Sequence, residues 1–139
     1  MALHKSGAAS GGAPQETALW TNPSPTSSTS ALRVDLSGSI NDYDYIKISF
    51  RTSTTKSTIR SAIYTSEDFK NFTGTSTSND GLISYGASPV ATYDSYTNCY
   101  VRYIKYETTT VFFSNATLIG STTSRPGLLI PQSIVGIKY

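Results

Sequence analysis

Tyr43-Asp44-Tyr45-Ile46-Lys47-Ile48-Ser49-Phe50-Arg51 decides the class of fold. From Tyr45 onward the residues alternate: Ile46, Ile48 and Phe50 fall on one side, and Tyr45, Lys47, Ser49 and Arg51 on the other. Successive side chains leave a pleated backbone in opposite directions, so a period of two describes a strand with one buried face. Outward from this stretch the same pattern recurs. Leu32-Arg33-Val34-Asp35-Leu36 alternates, and Ile59, Ser61 and Ile63 continue it beyond a polar link at Thr54-Thr55-Lys56. Asn79-Asp80-Gly81 reads as a turn before a short Leu82-Ile83 strand. Cys99 to Tyr106 reads as one long strand, followed by Val111-Phe112-Phe113 and Thr117-Leu118-Ile119. Arg125-Pro126-Gly127 places Pro and Gly where a type II turn wants them, ahead of Leu128-Leu129-Ile130-Pro131 and Ile134 to Tyr139. About eight short strands and no convincing helix predict an all-β fold, an antiparallel β-sandwich or jelly roll.

Composition agrees. Serine and threonine make up about 30% of the 139 residues, well above ordinary globular usage. Charged residues reach only 14%, whereas ten tyrosines lift the aromatic content to 12%. Thr, Tyr, Ile and Val suit a half-buried pleated surface, and the strong helix formers are thin. Tyr93, Tyr96, Tyr100, Tyr103 and Tyr106 recur at helical spacing, but the residues between them favour a strand. Residues 1–17 are small and polar, with Gly7, Gly11, Gly12 and Pro14, and predict a flexible arm; 18–139 is the sandwich domain.

Charge and side-chain chemistry narrow the function classes. A net charge of +2 without any basic run argues against nucleic acid. Neither a signal peptide nor a membrane-spanning run is evident, so a chain made in the cytoplasm is expected. The two sequons at Asn71 and Asn115 are then chance matches. Cys99 is alone and reads as a small buried hydrophobe. His4, the one histidine, lies in the arm, so no Ser-His-Asp or Cys-His arrangement can be built in the domain, and zinc lacks ligands. Asp42 and Asp44 are spaced like an acid/base or calcium pair, yet a turn at Asn41-Asp42 and a solvated Asp44 account for them. No enzyme, cofactor or metal is expected. Tyr93, Asp94, Tyr96 and Asn98 stand out as a contact loop, because Tyr brings rigid area at low entropy cost beside polar neighbours.

Three segments carry a resemblance. They are Leu19-Trp20-Thr21-Asn22-Pro23, then Asn41 to Ile48, then Leu129-Ile130-Pro131-Gln132-Ser133-Ile134-Val135-Gly136-Ile137-Lys138. In this order they resemble the C-terminal domains of phage and prophage tail, baseplate and fibre proteins, over Leu19 to Lys138. Val135 departs from the pattern, since an aromatic often precedes that glycine. The resemblance implies a virion structural protein, a receptor-binding module that adheres to a host surface glycan or protein. It also implies assembly as a trimer, with the arm anchoring it to other virion proteins. A head-decoration or head-fibre capsid protein without an adhesion role is the alternative expectation.

Overall fold

The structure is a computed structural model that describes residues 13–72, 91–93, 98–119, 121 and 123–139. Its strands are β1 (Gln15–Thr21), β2 (Leu32–Asp35), β3 (Tyr45–Ser53), β4 (Lys56–Thr65), β5 (Ala91–Tyr93), β6 (Cys99–Val101), β7 (Ile104–Tyr106), β8 (Thr110–Phe113), β9 (Thr117–Leu118) and β10 (Leu128–Lys138). They form three antiparallel sheets, in the orders β1-β10-β3-β4, β2-β8-β7 and β5-β6-β9. The alternation in β3 works as read. Ile46, Ile48 and Phe50 are fully buried, and they pack with Ile134 of β10 against Val34, Val111, Phe113 and Ile104 of the second sheet. Phe50 and Phe113 meet edge to face at 5.9 Å across this interface. Two sheets closing over one apolar layer make the fold an all-β sandwich.

β10 is the central element of the larger sheet, flanked by β1 and β3. Pro131 lies inside it, although a proline cannot donate to a ladder and is normally confined to edges or bulges. The register shifts between Pro131 and Ser133, so a bulge accommodates it. Asn22, just past β1, takes over there: its N–H donates to the Gln132 carbonyl at 2.9 Å and its Nδ2 to the Pro131 carbonyl at 2.7 Å. The two pieces expected around Pro131 are therefore one strand. Five residues on, Gly136 lies against Tyr43, where an added Cβ would stand 2.5–2.6 Å from three ring atoms. The glycine is needed for that close approach.

Several expectations are corrected. β1 begins at Gln15, inside the stretch read as the arm, because Gln15, Glu16 and Thr17 pair with Lys138, Ile137 and Gly136. The long strand expected over Cys99 to Tyr106 is broken at Arg102-Tyr103, and its halves join different sheets. Cys99 is half-buried rather than buried. The turn expected at Asn41-Asp42 is present as a 3-10 turn, Ile40–Asp42, capped by the Ser39 hydroxyl. Asp44 is exposed, as read, and its carboxylate also accepts from the Tyr139 N–H at 2.8 Å. One short α-helix is present among the described residues, α1 (Ser66–Lys70). Thr65 caps it by accepting from Asp68 N–H, and its buried Phe69 closes one end of the core. The Arg125–Leu128 turn closes with a 3.0 Å bond, but Gly127 does not take the positive φ of type II. Residues 79–83 lie outside the described residues.

The Gly136 contact generates a prediction. Gly136→Ala should lower unfolding free energy by about 1–3 kcal/mol through overpacking against Tyr43. A urea melt checks this, and an unchanged midpoint would show that the ring yields freely.

Candidate functional site

Arg102 stands where the chain leaves one sheet for another, and its side chain is completely buried. A guanidinium has five N–H donors in a fixed planar fork. Here Nε donates to the Leu129 carbonyl at 2.7 Å. Nη1 donates to Ser114 O at 2.7 Å and Ser30 O at 3.3 Å, and Nη2 to Thr29 O and Leu128 O, both at 2.9 Å. Five backbone carbonyls from three distant segments thus converge on one cation. Burial pushes its pKa down to about 10, which still leaves it charged at neutral pH.

The backbone bends to serve this fork. Consecutive carbonyls on a regular strand point opposite ways, yet Leu128 and Leu129 both aim at Arg102. Leu129 achieves this with φ 49, a left-handed conformation that side chains other than glycine rarely take. Such strain persists only where the surroundings over-determine it. Thr52, in the part of β3 opposite this irregularity, is left with a buried hydroxyl that has no partner among the described residues.

What Arg102 holds on its other side is the loop between β1 and β2. Thr29 and Ser30 are gripped by the guanidinium, and the Thr29 N–H donates to Pro126 O at 2.8 Å. The Gln132 Nε2 donates to Pro25 O at 2.8 Å, and Asn22 anchors the loop's start on β10. Within the loop, Ser24 N–H donates to Asn22 Oδ1 at 2.7 Å. This loop, Trp20 and β2 enclose a groove of about 430 Å³ lined by Trp20, Asn22, Pro23, Ser24, Ser27–Thr29 and Leu32–Asp35. Trp20 is half-buried and packs on Phe113 at 5.8 Å.

The groove's charges are distinct. Arg33 is bound to Glu107 through two bonds, 2.7 and 3.1 Å, and lies 5.0 Å over the Phe112 ring. That hydrogen bond, with Thr110 adding a second at 2.8 Å, holds the Glu107 carboxyl below its ordinary range despite an opposing desolvation cost. Asp35 is exposed and has no bonded partner among the described residues. Aromatic, hydroxyl and carboxylate groups meet here in a preformed concavity, suited to holding a small polar ligand. No group of three or more His, Cys, Asp or Glu among the described residues could hold a metal.

The expected contact loop is placed only in part. Tyr93 ends β5, its backbone paired with Cys99, and Asn98 is half-buried beside β6. Asp94 and Tyr96 lie outside the described residues. The groove residues were not read as a site. In the sequence Leu32–Asp35 reads as a strand and Trp20 as part of the first resembling segment, while the local signal at the groove is Asn22-Pro23-Ser24-Pro25, whose prolines impose an extended or turning path. No helix among the described residues is long and apolar enough to cross a membrane. Neither a protein-family model nor a curated protein matches the chain.

Removal of the Arg102 fork should be costly. Arg102→Met takes a donor from five backbone carbonyls, three of them in buried bonds, and should lose about 3 kcal/mol or more. Arg102→Lys restores the charge with only three donors on one atom and should recover little of this. Denaturant unfolding measures both; a lysine variant as stable as wild type would mean that charge alone suffices.

Proposed function

We propose that the chain is a bacteriophage virion structural protein, a tail-tip, fibre or baseplate receptor-binding module that adheres to the host cell surface by multivalent display. The observation that carries the adhesion reading is the preformed groove, whose loop wall is tied down at Asn22, Pro25, Thr29 and Ser30. A rigid wall spares the ordering entropy that binding otherwise costs.

The virion reading is supported by how the resembling segments interlock. Leu19-Trp20-Thr21-Asn22-Pro23 supplies the end of β1 and the Asn22 anchor, Asn41 to Ile48 supplies most of the 3-10 turn and the start of β3, and Leu129 to Lys138 is most of β10. These are three neighbours in one sheet. Asn22 bonds Pro131, Tyr43 covers Gly136, and Asp44 N–H donates to Ile137 O at 2.9 Å. Residues that look like a linear pattern are thus contact partners in space.

A single groove of this size binds weakly, and display makes up the difference. Several copies on one particle raise overall avidity by roughly 10²–10⁴ when all can engage together. A trimer anchored through the N-terminal residues is the arrangement proposed here.

Purified protein coupled to beads should label cells of the strain that the parent phage infects, and soluble protein should slow adsorption of that phage. Unlabelled cells together with unchanged adsorption at saturating protein would contradict an adhesive role. Immunogold labelling confined to the capsid would point instead to a head-decoration subunit.

A further inference from the structure

We propose that the groove beside Trp20 takes a neutral pyranose unit, one ring or two, from the surface to which the module adheres. The biological meaning of the inference rests on the adhesion reading; its chemistry rests on the groove alone. A pyranose is amphipathic: C–H groups make its faces apolar, and hydroxyls that both donate and accept surround its rim. The groove is divided in the same way. Trp20, Pro23 and Leu32 supply apolar wall, with the indole offering a flat, rigid surface that needs little ordering. Ser24, Ser27 and Ser28 supply hydroxyls that can donate or accept as the sugar requires.

Two further features select the class. Asp35 lines the groove, exposed and without a partner among the described residues, and an ionised carboxylate accepts from hydroxyl donors in short, strong bonds. Arg33, the one cation among the described residues that line the groove, is already engaged by Glu107 through both carboxylate oxygens. An acidic sugar, sulfate or phosphate would meet an uncompensated Asp35 and an occupied Arg33. A neutral sugar meets no such penalty. The volume, about 430 Å³, lies toward the small end of ligand pockets, which fits one or two rings rather than a long chain.

The protein carries its own reporter, because Trp20 is its only tryptophan. Intrinsic fluorescence of the full chain should be titrated with methyl glucoside, methyl galactoside, methyl mannoside and N-acetylglucosamine. Glycerol and N-acetylneuraminic acid serve as controls, and saturation-transfer NMR of each sugar runs alongside. At least one neutral pyranoside should shift Trp20 emission saturably, with a dissociation constant of roughly millimolar order. Asp35→Asn, at an exposed position with no bonds to lose, should weaken that binding about fivefold or more without moving the melting temperature.

Each other outcome overturns the inference. A sugar signal in NMR without a Trp20 response, or without sensitivity to Asp35→Asn, puts the site elsewhere. Preference for N-acetylneuraminic acid removes the neutral class. If no pyranoside binds while the beads still label host cells, the saccharide reading falls and adhesion stands, with a peptide as the next occupant to try. If cells are also unlabelled, both readings fall.

Discussion

A buried guanidinium bonded to five backbone carbonyls of the described residues organises this protein. Arg102 is charged, inaccessible and compensated by backbone dipoles from Thr29, Ser30, Ser114, Leu128 and Leu129. Taking a charge out of water is expensive, and an arrangement of carbonyls offsets that cost only if all of them are in place together. Arg102 therefore couples segments that share no strand ladder. It ties the start of β10 to the loop before β2 and to the residue after β8. It accounts for the break between β6 and β7 and for the strained backbone at Leu129. A long apolar side chain could fill the space, but it could not specify where five carbonyls point.

The second constraint is the crowding around β10. Its centre must accept a proline, a glycine and neighbours on both sides, and each irregularity is met by a residue that flanks a neighbouring strand. Asn22 answers Pro131, and Tyr43 occupies the space that a side chain at Gly136 would need. The sandwich core between the two larger sheets then forms around Ile134, Ile48, Phe50 and Phe113 without comparable strain. The proposed adhesion draws on the rigid part. The groove opens where loop, Trp20 and β2 converge, and its wall inherits its order from Arg102.

Local pattern made the all-β class, the β3 alternation and the β2 strand readable, because each depends on side chains two apart. Features set by distant partners were not readable. Cys99 to Tyr106 has the composition of one strand, and only the five carbonyls waiting around Arg102 break it. Pro131 argues for a strand end unless Asn22 is known to stand beside it. α1 has five residues, too few to show a period, and is fixed by its Thr65 cap and by Phe69 reaching the core. Gln15 to Thr17 look like arm until 136–138 are laid alongside. The groove is the least legible of all, since Trp20, the serines and Asp35 become neighbours only when the loop folds back. Tyr beside polar neighbours draws attention to residues 93–98 instead, most of which lie outside the described residues.

Native-state hydrogen exchange on the wild-type protein tests the central claim most directly. If Arg102 makes the loop wall part of the core, the Asn22 and Thr29 amides, bonded to Gln132 and Pro126, should exchange only through global unfolding, as slowly as that of Ile48 in β3. Exchange at Asn22 and Thr29 orders of magnitude faster than at Ile48 would show that the loop opens on its own, and the account of a groove held from beneath by a buried arginine would be wrong.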